Sequence, residues 1–183
     1  MSRFGHLVRR FGGSVWARPL GDADLGFVER VLRPEELACW VGLGRADRAE
    51  SVATGRAFVA MFAEQEHPAD AHADAHADAR YVAAALLHDV GKADTAFGVI
   101  RRSVATVAAV LAGRRRARTW GGALGRYVNH DEIGSARLRQ AGARPEAVAW
   151  AAVHHRRDLW PGSGIPPEIC AMLAVADGEP SGE

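Results

Sequence analysis

The chain has 183 residues and a mass of 19.6 kDa, enough for one domain with a hydrophobic core of its own. Its 48% hydrophobic and 25% charged residues are ordinary for a globular protein, and a formal net charge of +1 excludes a polycation built to bind extended nucleic acid. Cys39 and Cys170 lie in apolar surroundings without CxxC spacing, which excludes a disulfide framework and leaves a reducing, cytoplasmic setting as the expectation.

Residues 1–21 form a basic amphipathic segment. Arg3, Arg9, Arg10 and Arg18 alternate with Phe4, Leu7, Val8, Phe11, Val15 and Trp16, and no acid precedes Asp22. It lacks the continuous apolar core of a secretory signal, and glycines at 5, 12 and 13 weaken any helix there. Two readings stand: docking on the domain's own surface, or peripheral contact with a membrane. No apolar run reaches the ~18 residues that a spanning helix needs.

From Asp22 to Gly178 the pattern is helix after helix, with no period-two strand. Leu25, Val28, Val31 and Leu32 share one face of the first. Pro34 opens the second, with Leu37, Trp40, Val41 and Leu43 as its apolar side. Residues 45–64 offer Val52, Phe58, Val59 and Phe62; residues 79–89 and 96–112 are strongly apolar; shorter helices are predicted at 120–128, 131–141, 145–155 and 166–177. Short links and abundant alanine predict an all-α, compact multi-helix bundle over residues 22–178, followed by a tail at 179–183. Residues 69–79 repeat Ala-Asp-Ala-His without an apolar face and read as an exposed insertion. The run Arg114-Arg115-Arg116-Ala117-Arg118 reads as a solvated loop.

The chemistry-bearing residues come in order. His88-Asp89 ends the apolar stretch Val82–Leu87, where an imidazole and a carboxylate are costly to leave unpaired. By itself that dipeptide reads as a core hydrogen bond. Three residues on stands Lys92, the only lysine of the chain, a compact point charge suited to a phosphate oxygen. His130 opens a helix that begins with Asp131 and Glu132. His154-His155 ends another helix, and Asp177 lies at the C-terminal end of a third, where the helix dipole disfavours a carboxylate unless a cation compensates.

The order His-Asp, His, His-His, Asp resembles the HD-domain superfamily of metal-dependent phosphohydrolases. Leu86-Leu87-His88-Asp89-Val90-Gly91-Lys92 looks like its central signature, and His130-Asp131-Glu132-Ile133-Gly134 is similar to its following His-x-x-x-Gly helix start. His154-His155 with Gly162-Ser163-Gly164-Ile165-Pro166 resembles the HD-GYP branch, with Ile165 in the tyrosine place, and Val175-Ala176-Asp177 looks like the terminal aspartate motif. The resemblance covers roughly residues 45–178 and implies an HD-domain bundle. The sequence departs from the pattern in one place: the superfamily supplies a histidine from the preceding helix, and residues 45–64 contain none. Glu50 or Ser51 falls there. Glu50 is a candidate ligand for a hard ion; His67, His72 or His76 reaching in from the repeat is a second option, and a degenerate site is a third. The stretch after Asp177 is shorter than in the fuller HD-GYP domain, which speaks against cyclic-dinucleotide hydrolysis.

The resemblance implies a divalent metal (Mn, Fe, Mg or Co) held by His88, Asp89, His130, His154, His155, Asp177 and Glu50, with Asp89 and Lys92 as catalytic residues. The implied reaction is hydrolysis of a small phosphorylated, nucleotide-like substrate by metal-activated water. The alternatives are a non-catalytic regulatory or ligand-sensing module on the same helices, and an HD-type di-iron oxygenase. Oligomeric state is not written in the sequence.

Overall fold

Residues Tyr81 to Val90 are buried without a break in the computed structural model, which describes residues 19–65, 75–94, 119 and 121–179. The described residues form eight α-helices: α1 (Asp22–Val31), α2 (Pro34–Val41), α3 (Arg45–Gln65), α4 (Ala75–Leu87), α5 (Gly122–Val128), α6 (His130–Ala141), α7 (Pro145–Val153) and α8 (Pro167–Ala176). Short 3-10 turns follow α4 at Val90–Asp94 and α7 at Arg157–Gly162. No strand occurs among the described residues, so the expected all-α bundle is what forms.

The order of the layers follows from α4. Val82, Ala83, Ala84, Ala85, Leu86 and Leu87 leave this helix apolar on every side, and such a helix has to be enclosed. It packs against α1, α2, α3, α7 and α8, while α6 packs on α7 and on the 3-10 turn after α4. Phe58 of α3, Trp150 of α7 and Leu173 of α8 are fully buried around it, and Val28 and Trp40 close the core from α1 and α2. Proline occupies the first turn of α2, α7 and α8, where its missing N–H costs nothing and its fixed φ suits the helix.

Several expected boundaries shift. The helix predicted at 79–89 begins earlier, at Ala75, and stops at Leu87, so its first turn uses the end of the Ala-Asp-Ala-His repeat. Among residues expected on apolar faces, Leu25, Val41 and Val59 are exposed. The buried side of each of these helices is filled instead by Val28, Trp40 and Phe58. The basic segment up to residue 18, residues 69–74 of the insertion, the predicted helix at 96–112 and the arginine run lie outside the described residues.

One polar contact ties four helices together. Glu36 of α2 is fully buried and Arg144, just before α7, nearly so. The Arg144 guanidinium donates to Glu36 Oε2 at 2.6 Å and Oε1 at 2.9 Å, to the Ala79 carbonyl of α4 at 2.7 Å and to the Val31 carbonyl of α1 at 2.5 Å. Glu36 also accepts the main-chain N–H of Arg144 at 2.9 Å and of Arg33 at 3.0 Å, the latter capping α2. Burial pushes the Glu36 carboxyl up, but the bonds from Arg144 and Arg33 outweigh it and hold the group below its ordinary value of 4.5.

Removing one partner leaves a buried charge uncompensated, so Arg144→Ala should cost about 3–5 kcal/mol of unfolding free energy, read by urea denaturation at neutral pH. Because the folded pKa of Glu36 is depressed, its contribution is full above the ordinary value of 4.5 and is lost as pH falls through the lower folded value. Unfolding curves over that acid window should therefore be flatter in Arg144→Ala than in the wild type; parallel curves would refute the assignment.

Candidate metal centre

Three helices aim their C-termini at one point. His88 follows the last residue of α4, His154 is the C-cap of α7, and Asp177 is the C-cap of α8. A helix C-terminus carries unsatisfied carbonyls and about half a negative charge. In α4 and α7 one such carbonyl is used in the same way: Nδ1 of His88 donates to the Ala85 carbonyl at 2.8 Å, and Nδ1 of His154 to the Ala151 carbonyl at 3.0 Å. A carbonyl can only accept, so both imidazoles carry their hydrogen on Nδ1 and turn Nε2 inward. Such an outer hydrogen bond is what fixes the tautomer of a metal-ligating histidine.

The inward atoms face one another. Nε2 of His88 lies 3.2 Å from Asp177 Oδ1 and 3.4 Å from Asp89 Oδ2. Asp89 Oδ1 lies 3.2 Å from Nε2 of His130 and 3.9 Å from Nε2 of His154. All five residues are buried. Nε2 of His88, Nε2 of His154 and Oδ1 of Asp89 have no aligned hydrogen bond, although such groups are costly to bury bare. His155 stands at the rim, half-buried, with ring centroids 3.9 Å from His154 and 5.3 Å from His130. One ligand atom from each of His130, His154 and His155 falls within 4.8 Å of the other two, so these three could hold a metal ion.

Lys92 is the cation built into the site. Its ammonium contacts Asp89 Oδ2, and its main-chain N–H bonds the Asp89 carbonyl at 2.9 Å, closing the 3-10 turn. Burial would push the Asp89 carboxyl up, but the charges of Lys92 and His88 hold it well below the usual carboxylate range. Burial likewise opposes charge on His88, and the facing Asp89 and Asp177 overcome it, so this imidazole titrates well above 6.5. His154 goes the other way: burial, then His88 and His130, lower it to about 3, which keeps its ring neutral. Paired carboxylates, inward lone pairs and three helix C-termini in a low dielectric call for positive charge. The donor set of imidazole nitrogen and carboxylate oxygen fits a divalent first-row ion or Mg²⁺.

Backbone packing brings His130 to Asp89. A Cβ built on Gly91 would overlap the His130 carbonyl and stand 2.7 Å from the Gly134 nitrogen; one on Gly134 would stand 2.9 Å from the Gly91 nitrogen. Only two glycines let the turn after α4 lie directly on the first turn of α6. The spacing of His88-Asp89 to Gly91 and of His130 to Gly134 is thus a contact requirement of the site.

The structure thus gathers His88, Asp89, His130, His154, His155, Asp177 and Lys92. Glu50 stands half-buried on α3 and enters none of these distances; its main-chain carbonyl accepts the Thr54 hydroxyl at 3.1 Å. Ser51, the other residue in the place of the expected histidine, accepts the Trp40 indole N–H at 2.7 Å and donates to the Arg48 carbonyl at 3.0 Å, so its hydroxyl is committed to the core. His76 is in the first turn of α4, about 18 Å along the helix from His88. His67 and His72 lie outside the described residues. Sequence reading missed the Ala85 and Ala151 carbonyls; the shared Ala-x-x-His spacing at two helix ends was the available signal. Compared with protein-family models, curated proteins and solved structures, the chain has no match.

Gly91→Ala should lower Mn²⁺ affinity by about 10–100-fold, the scale of a disturbed outer shell, in a calorimetric titration. Arg144→Ala acts at the opposite end of α4 and should leave that affinity unchanged at temperatures where the variant stays folded. Equal affinities in wild type and Gly91→Ala would show that the glycine contact does not position the ligands.

Proposed function

We propose that the protein is a metal-dependent phosphohydrolase of the HD-domain type, cleaving a phosphomonoester or phosphodiester of a small, nucleotide-like substrate. The observation that carries this reading is the buried convergence of His88, Asp89, His130, His154 and Asp177 on one point, with Lys92 beside it. His88, Asp89 and Asp177 would hold the principal ion (Mn²⁺, Fe²⁺, Mg²⁺ or Co²⁺). Asp89 turns its two oxygens to different histidines, and His130, His154 and His155 would hold a second ion or the substrate phosphate. An ion held there would supply an activated water and polarisation of the phosphoryl group.

The chain's own residues do the rest. Ala85 and Ala151 carbonyls keep His88 and His154 in the ligating tautomer. The neutral His154 keeps a lone pair available throughout the physiological range. Lys92, held against Asp89, offsets charge that develops on the phosphoryl oxygens. Burial of the cluster excludes bulk water and strengthens each of these interactions. A net charge of +1 favours a small substrate over extended nucleic acid. No helix of the described residues is long and apolar enough to cross a membrane, and a cytoplasmic setting is part of this proposal.

The test is a phosphatase and phosphodiesterase panel run on chelator-treated protein and after loading with each metal in turn. Turnover should require metal, and Asp89→Ala should reduce it by about 10³-fold or more with loss of bound metal. Glu50→Ala should leave Mn²⁺ affinity unchanged; a loss would place Glu50 among the ligands. Wild-type protein that binds no metal after loading would refute the reading. Metal binding without turnover on any substrate would favour a ligand-sensing module, and oxygen-dependent turnover with iron would favour an oxygenase.

A further inference from the structure

The chain closes the rim of the site with a carboxylate of its own. α8 ends in a Schellman motif: the N–H of Gly178 bonds the Val175 carbonyl at 2.9 Å, and that of Glu179 bonds the Ala174 carbonyl at 2.9 Å. Gly178 takes φ +83, a conformation that costs other residues dearly, and the turn throws Glu179 back across the site. There the two oxygens of Glu179 part. Oε1 lies 3.8 Å from Nδ1 of His155, and Oε2 lies 3.3 Å from the Arg157 guanidinium.

Arg157 is pre-organised for an anion. Its guanidinium lies over the Trp160 ring, 5.2 Å from the centroid. Trp160 is fixed in turn by its indole N–H on the Val153 carbonyl at 3.2 Å and by the Trp150 ring at 5.8 Å. A guanidinium held in this way loses little freedom on binding and matches a phosphate with parallel N–H donors. The Glu179 distances are longer than the 2.7–2.9 Å typical of a charge-assisted bond, so the cradle is wider than a carboxylate fills. Arg157 and Glu179 are also partly exposed, and an exposed ion pair contributes only about 0–1 kcal/mol, so exchanging it for a more highly charged anion costs little.

We infer that His155 and Arg157 form an anion subsite at the mouth of the metal centre, and that Glu179 is an internal occupant which substrate displaces. The inference rests on the phosphohydrolase reading and narrows its substrate class. The subsite adjoins His154, whose ring centroid is 3.9 Å from that of His155. A substrate that places one phosphoryl group on the buried cluster therefore has a place for a second anionic group on Arg157. The class selected is a compound with two neighbouring anionic groups, such as a diphosphate, over a simple monophosphate.

The subsite is measurable without turnover. Inorganic phosphate is titrated calorimetrically into chelator-treated full-length protein, for wild type, Glu179→Ala, Arg157→Ala and the double variant, with melting temperatures to confirm folding. Glu179→Ala should bind phosphate about tenfold more tightly than wild type, equivalent to ~1.4 kcal/mol, and the gain should vanish in Glu179→Ala/Arg157→Ala. Glu168→Ala, about 14 Å away along α8 from Asp177, removes the same charge and should leave the affinity unchanged. No gain in Glu179→Ala, a gain that survives loss of Arg157, or an equal gain in Glu168→Ala would overturn the inference. These titrations contain no metal, so their outcome is separate from that of the metal-loading and turnover experiments, whose failure would instead remove the phosphohydrolase reading.

Discussion

The burial of α4 on all sides is the constraint from which the remaining architecture follows. Ten consecutive residues, Tyr81 to Val90, are shut away from water, and the alanines among them let neighbouring helices approach closely. Fully burying a helix of this kind requires helices on every side. α1, α2, α3, α7 and α8 supply them, and α7 and α8 bring His154 and Asp177 at their C-termini to the end of α4. The candidate metal centre therefore lies where the most enclosed helix stops: the core contributes apolar burial up to Leu87 and polar chemistry from His88 onward.

At that point the backbone itself sets the electrostatics. The C-termini of α4, α7 and α8 meet, and each brings a carbonyl-rich, partly negative end. Asp89 and Asp177 add formal charge in a setting where water cannot screen it. Lys92 offsets part of this, and the facing Asp89 and Asp177 draw His88 upward, while burial and the neighbouring His88 and His130 drive His154 down to about 3. A cation held there would offset the same charge. The site is thus an arrangement of acceptors aimed inward and held by hydrogen bonds on their outer sides.

Two devices hold that arrangement in register, at opposite ends of α4. Near its start, Arg144 joins α1, α2, α4 and the entry to α7 through the buried Glu36. Beyond its end, Gly91 and Gly134 let two stretches of backbone touch, so that His130 reaches Asp89. The first acts on the stability of the whole bundle, because losing it leaves a buried charge bare. The second acts on geometry, because its loss pushes one ligand away from the others. The Schellman turn at Gly178 extends the same economy of means to the rim, placing Asp177 inward and Glu179 across the mouth.

By itself the sequence determined the helical class, because apolar residues at helical spacing and prolines at first turns are local signals. It also marked His88, Asp89, Lys92, His130, His154, His155 and Asp177 as chemistry-bearing, because polar residues at the ends of apolar helices stand out in one dimension. That Gly91 and Gly134 touch is not written in the two motifs that contain them, nor is the pairing of Glu36 with Arg144, 108 positions away. Only the tertiary structure decided these points. Which carbonyl receives a histidine's hydrogen, which backbones touch and which charges are enclosed depend on how separate helices rotate and pack, and no periodicity along one chain records that.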